Sequence, residues 1–143
     1  MDSPVNEGRC YCGARTISVA GSPEAVTYCH CSDCRRVSGA PVSAFAAFAE
    51  DNIKVLPDDG KSVSPIAGVT RHFCPECGSP LLARYAYLPG QVYVAVGLFD
   101  DPTPFAPKHH SHFGEKLPWL CLTDALPKSH ASGRDSLNET ARK

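Results

Sequence analysis

The chain has 143 residues, and its formal net charge of −1 comes with no basic run. That balance excludes the electrostatic footprint of a dedicated nucleic-acid binder. No stretch approaches the ~20 apolar residues of a membrane helix, and the polar start Met1-Asp2-Ser3-Pro4 lacks a signal-peptide layout. The reading is one soluble, cytoplasmic domain over residues 1–128, followed by a polar tail, 129–143, expected to be largely flexible.

Thirteen prolines and eleven glycines divide the chain into short pieces. In chain order, alternating or β-branched runs predict strands over 14–20, 42–48, 53–56, 69–73, 81–87 and 91–96. A short helix is predicted over 32–37, with Ser32 or Asp33 as its cap and Gly39 as its stop. Pro89-Gly90 suits the centre of a type II turn, so the last two strands should form a hairpin. The segment 100–107 carries three prolines and reads as a loop. Phe113 and Trp119 read as core or pocket wall, and Cys121 as a buried small hydrophobe.

The eight cysteines are the strongest signal. Seven fall in three clusters: Cys10-x-Cys12, Cys29-x-Cys31-x-x-Cys34 and Cys74-x-x-Cys77. Such close spacings converge on a metal and make poor disulfides. Cys74-Pro75-Glu76-Cys77-Gly78 is a zinc knuckle that needs two further ligands, and Cys10 with Cys12 supplies them. Cys29, Cys31 and Cys34 remain: three ligands and a vacancy, the pattern of a catalytic zinc. A second structural site completed by a histidine is the competing reading, and Cys10 with Cys12 could instead join the middle cluster. Two zinc ions per chain are expected, one structural and one labile. His30 lies between two ligands, so its ring should point away from the metal.

Zinc on three thiolates carries a formal charge of −1 and is a weak Lewis acid. Holding a substrate thiol as thiolate suits it better, because zinc deprotonates a coordinating thiol. Alternatively Cys31, or a neighbour, leaves the metal and takes part directly. Arg35 and Arg36 follow the cluster and could pair with substrate carboxylates. His109 and His112 could recruit an adventitious metal. A non-catalytic zinc-stabilised binding module and a thiol redox sensor are the competing functional classes.

The motifs Cys10–Gly13, Cys29–Ala40 and Phe73–Gly78, with His110 through Pro118-Trp119 to Asp124-Ala125-Leu126-Pro127, resemble the glutathione-dependent formaldehyde-activating enzyme family. That family also includes centromere protein V. The resemblance spans about residues 8–127. It implies a mainly β fold, the β-tent, in which small antiparallel sheets are organised around zinc with one short helix. It implies a structural zinc on Cys10, Cys12, Cys74 and Cys77, and a labile active-site zinc on Cys29, Cys31 and Cys34. It also implies a carbon–sulfur lyase activity that joins glutathione and formaldehyde. His110 matches the family's late histidine and could serve as acid or base. The partners implied are a small-molecule thiol and an aldehyde; the assembly state stays open between monomer and homodimer.

Overall fold

Short β-branched runs punctuated by glycine and proline fold into ten strands and one α-helix among the described residues. A computed structural model of the chain describes residues 4–132. The strands are β1 (Val5–Arg9), β2 (Thr16–Ala20), β3 (Ala25–Cys29), β4 (Ser43–Ala49), β5 (Ile53–Leu56), β6 (Lys61–Ile66), β7 (Val69–Phe73), β8 (Pro80–Tyr85), β9 (Gln91–Ala95) and β10 (His110–Ser111). The helix α1 (Ser32–Ser38) follows β3. Two sheets result, one ordered β1-β2-β5 and the other β10-β3-β4-β9-β8-β7-β6. The protein is therefore mainly β. Every named strand pair is antiparallel except β10 with β3, which is parallel.

The expected strands all exist, with ends that move by a residue or two. Four were not legible. β1 contains Gly8, whose missing Cβ lets the backbone approach the carbonyl of Leu98. β3 is short, and three of its five residues are buried. β6 is exposed along its whole length and carries Pro65, which an edge strand tolerates. β10 has only two residues. The β8–β9 hairpin forms as expected, with Gly90 at φ 80°.

Strand β4 organises the interior. Successive side chains of a strand point to opposite faces. Ala46 and Phe48 join Ile17, Val19, Leu81, Val92, Val94, Phe99 and Phe105 in the main core. Phe45 and Ala47 join Cys29, Cys34, Leu88 and Tyr93 in a second one. β9 divides the same way, Val92 and Val94 to the first core and Tyr93 to the second. The large sheet thus separates the two cores, and each contains cysteines: Cys10 and Cys74 in the first, Cys29 and Cys34 in the second.

Two single-residue expectations are corrected. Trp119 is 67% exposed, and Cys121 is exposed rather than buried. Both lie in an irregular segment after the last 3-10 turn of the described residues, outside any strand. At the start of the expected tail, the Ser129 N–H donates to the His110 carbonyl at 2.8 Å, and the Phe113 and Gly114 N–H groups donate to the carbonyls of Ser129 and His130. The remainder of the tail, from residue 133, lies outside the described residues.

Candidate metal centres and the adjoining cleft

The first cluster joins the β1–β2 turn to the β7–β8 turn. Cys10, Cys12, Cys74 and Cys77 present sulfurs that all lie within 4.8 Å of one another. Cys10 and Cys12 Sγ are 3.6 Å apart, and Cys12 and Cys74 Sγ 3.8 Å. A tetrahedral zinc with Zn–S near 2.3 Å sets its sulfurs about 3.8 Å apart, so this donor set fits the ion. Backbone N–H groups converge on the sulfurs, Arg15 on Cys10 and Ala14 on Cys12, at 3.3 and 3.4 Å. The two loops can turn this tightly because Gly13 and Gly78 adopt φ of 82° and 80°. Hydrogen bonds from Ser79 draw the Cys77 thiol down to about 6. Outside the cluster, buried Arg15 bridges Asp58 at 3.0 Å and Glu76 at 2.9 Å. That bridge ties the turn before β2 to the knuckle.

The second cluster sits where β3 runs into α1. Cys29 ends the strand, Cys31 caps the helix and Cys34 lies in its first turn. The cap is Cys31 rather than Ser32 or Asp33, its sulfur accepting the Cys34 N–H at 3.3 Å. Gly39 stops the helix in the left-handed conformation, as expected. Cys29 Sγ donates to Cys31 Sγ at 3.4 Å. Hydrogen bonds from the Cys29 and Cys34 thiols, and from the Cys34 N–H, draw Cys31 far below the usual thiol range. The same hydrogen bond, seen from the donor side, pushes Cys29 up. Cys34 is approached by Arg71 Nη2 at 4.0 Å. The donor atoms that lie within 4.8 Å of one another here are those of Cys29, Cys31 and His112.

A cleft of about 470 Å³ opens over this second cluster. Cys29, Cys31 and Cys34 line it, facing Arg71, Tyr85, Tyr93, Phe45 and Leu88, with Thr27, Ser111, His112 and Glu115 along another side. Arg71 lies over the Tyr85 ring, 5.8 Å from its centroid, so its guanidinium is held against an aromatic face. It is the only Arg or Lys among the residues lining the cleft.

Arg35 and Arg36 do not line the cleft. They sit in the last turn of α1, Arg35 partly buried and Arg36 exposed. His110 is buried behind the cleft wall. Its Nδ1 is 2.9 Å from His30 Nε2, and its Nε2 is 3.0 Å from Asp124. Tyr28 stacks on His110, and Phe113 packs edge-on against both histidines. This buried chain holds His30, and with it the backbone between Cys29 and Cys31. Arg71, Glu115 and the tyrosines are the cleft residues that no motif announced, and His112 was legible only as a side chain that could recruit an adventitious metal. Their sequence context is ordinary strand or loop.

Residues 5–115 match the family model of the glutathione-dependent formaldehyde-activating enzyme. The chain belongs to this family. A crystal structure of a Rhodobacter sphaeroides protein has the same fold, with a TM-score of 0.54 and 19% identity over 86% of this chain and 99% of that one. No curated protein matches the chain. As a member of the family it has the two cysteine clusters that could hold a metal, and no helix among the described residues is long and apolar enough to cross a membrane.

Proposed function

We propose that this chain is a zinc-dependent carbon–sulfur lyase that joins, or releases, a carboxylate-bearing thiol and a small aldehyde in the cleft over Cys29, Cys31 and Cys34. The observation that carries the reading is the placement of a metal-type thiol cluster on the wall of an open cleft, beside a single guanidinium. In the other cluster Cys10 and Cys74 are buried in the main core and none of the four cysteines lines this cleft, which fits a purely structural ion. Free cysteines throughout fit a reducing, cytoplasmic setting.

A zinc ion held by the three cysteines supplies one thing: it stabilises an added thiol as its thiolate. The chain's own residues do the rest. Cys31, Cys29 and Cys34 would hold the ion. Arg71 pairs with a carboxylate of the thiol substrate, since a guanidinium matches that group in two parallel hydrogen bonds. Tyr85, Tyr93, Phe45 and Leu88 wall the cleft and limit water. In the forward reaction the sulfur adds to the aldehyde carbon. One carbon–sulfur bond forms, the carbonyl π bond breaks, and the proton lost by the thiol ends on the new hydroxyl. Bringing the two reactants together in one cleft supplies proximity.

Glutathione and formaldehyde also combine unaided. The test is therefore NMR exchange between free and adduct glutathione, with and without protein, with Cys31→Ala as control. Faster exchange that Cys31→Ala abolishes is expected. Unchanged exchange at high protein concentration rejects this substrate pair.

A further inference from the structure

We propose that His112, held by Glu115, is a fourth donor of the second centre, which is then closed in the resting chain and opens when the imidazole leaves. This rests on reading Cys29, Cys31 and Cys34 as metal ligands.

Three observations carry it. The first is distance: a ring nitrogen of His112 lies within 4.8 Å of both Cys29 and Cys31 Sγ, the range over which donors converge on one ion. The second is orientation. His112 Nδ1 is 3.2 Å from Glu115 Oε2, while Glu115 Oε1 accepts the Ser32 N–H at 3.3 Å. A carboxylate on one ring nitrogen fixes the ring and leaves Nε2 for a metal, the arrangement found behind most metal-ligating histidines. Glu115 is anchored at the start of α1, next to Cys31, so the buttress and the ligands form one unit.

The third is backbone conformation. His112 is the one non-glycine with positive φ among the described residues, at φ 54° and ψ 40°. Residues two apart in a strand share a face. An extended chain would therefore send His112 to the side of buried His110, away from the cleft. The left-handed turn breaks that alternation, and His112 lines the cleft while His110 does not. The conformation is locked by the His112 N–H, donating to the Ala131 carbonyl at 2.6 Å, and by the His112 carbonyl, accepting the Glu115 N–H at 3.0 Å. Strained conformations persist where surrounding contacts over-determine them, commonly at sites of function.

The imidazole is also the exchangeable donor of the four. An imidazole binds a metal as a neutral donor where a cysteine binds as an anionic one, and His112 sits on a loop where the cysteines sit at the end of β3 and the start of α1. A substrate thiol would compete with His112 before any cysteine.

Cobalt(II), titrated into the zinc-depleted full-length protein, reports ligand type through its charge-transfer and d–d absorption. The wild type should take up two equivalents, the weaker with a three-sulfur, one-nitrogen spectrum. In His112→Ala the d–d bands of that weaker equivalent should shift and its affinity fall at least tenfold, the first equivalent being untouched. Glu115→Gln should weaken the second equivalent by about 10–100-fold. Glutathione should convert the wild-type spectrum toward four sulfurs, and should do so at lower concentration in His112→Ala. A His112→Ala spectrum and affinity identical to wild type, with Cys31→Ala losing the second equivalent, overturns the role of His112 alone. A wild type that takes up only one equivalent overturns the three-cysteine centre and this proposal together. Retention of the first equivalent in each variant shows that the fold is intact.

Discussion

His30 and His110 share a 2.9 Å hydrogen bond between buried rings, although eighty positions separate them in the sequence. Asp124 completes the chain on the far side of His110, and His30 Nδ1 is buried without a partner among the described residues. The pair clamps the Cys29–Cys31 loop to β10. Each of His30→Phe and His110→Phe should cost about 1–3 kcal/mol by stranding a buried ring nitrogen. The double variant should be less damaging than the sum, with a coupling of about 0.5–3 kcal/mol. Denaturant melts of the zinc-loaded proteins measure the cycle; strict additivity would show that the two rings do not act as a unit.

The two cysteine clusters should differ in what their loss does. Cys74 is fully buried in the main core, and Cys74→Ala should lose the tighter metal equivalent and most of the cooperative melt. Cys31→Ala should keep the melt and lose the weaker equivalent. Elemental analysis beside thermal melts decides it, and the opposite pattern would mean that the structural and labile assignments are exchanged.

Arg71 is the residue on which carboxylate selectivity should depend. A hydrogen bond to a charged group is worth about 1.5–3 kcal/mol, so Arg71→Ala should weaken glutathione binding by roughly ten- to a hundredfold. Cysteamine, a thiol with no carboxylate, should bind both forms alike. Arg71→Lys should restore part of the difference, since it keeps the charge but not the planar fork. Chemical-shift titrations with the two thiols read the contrast. Equal losses for both would place Arg71 in a purely structural role.

Gly8→Ala should destabilise the three-stranded sheet. The new Cβ would collide with the Leu98 carbonyl, a backbone atom that cannot rotate away. Overpacking of this kind costs about 1–3 kcal/mol. A lowered Tm is expected, with easier loss of the metal at Cys10, two residues along. A Tm equal to wild type would show that β1 shifts freely against the segment after β9.

Much of the molecule could be read from local pattern. The cysteine spacings grouped the ligands because residues two or three apart in a turn have few ways to present their sulfurs. β5 and β7 match their expected ends, since β-branched residues between glycines and prolines leave one local choice. β1, β3, β6 and β10 were missed because their pairing depends on distant partners: β3 is mostly buried, β6 is exposed, and β10 exists only by lying beside β3. The same holds around the site. Arg35 and Arg36 stand next to the ligands in sequence, but the helical turn carries them off the cleft. Arg71 reaches it from the other end of the large sheet. His110 and His112 differ by two positions, and the motif match pointed to His110, whereas His112 is the one that lines the cleft. One left-handed residue decides which faces the cleft. Local covalent geometry determined which side chains could bind a metal; the folding of remote segments onto one another decided what surrounds it.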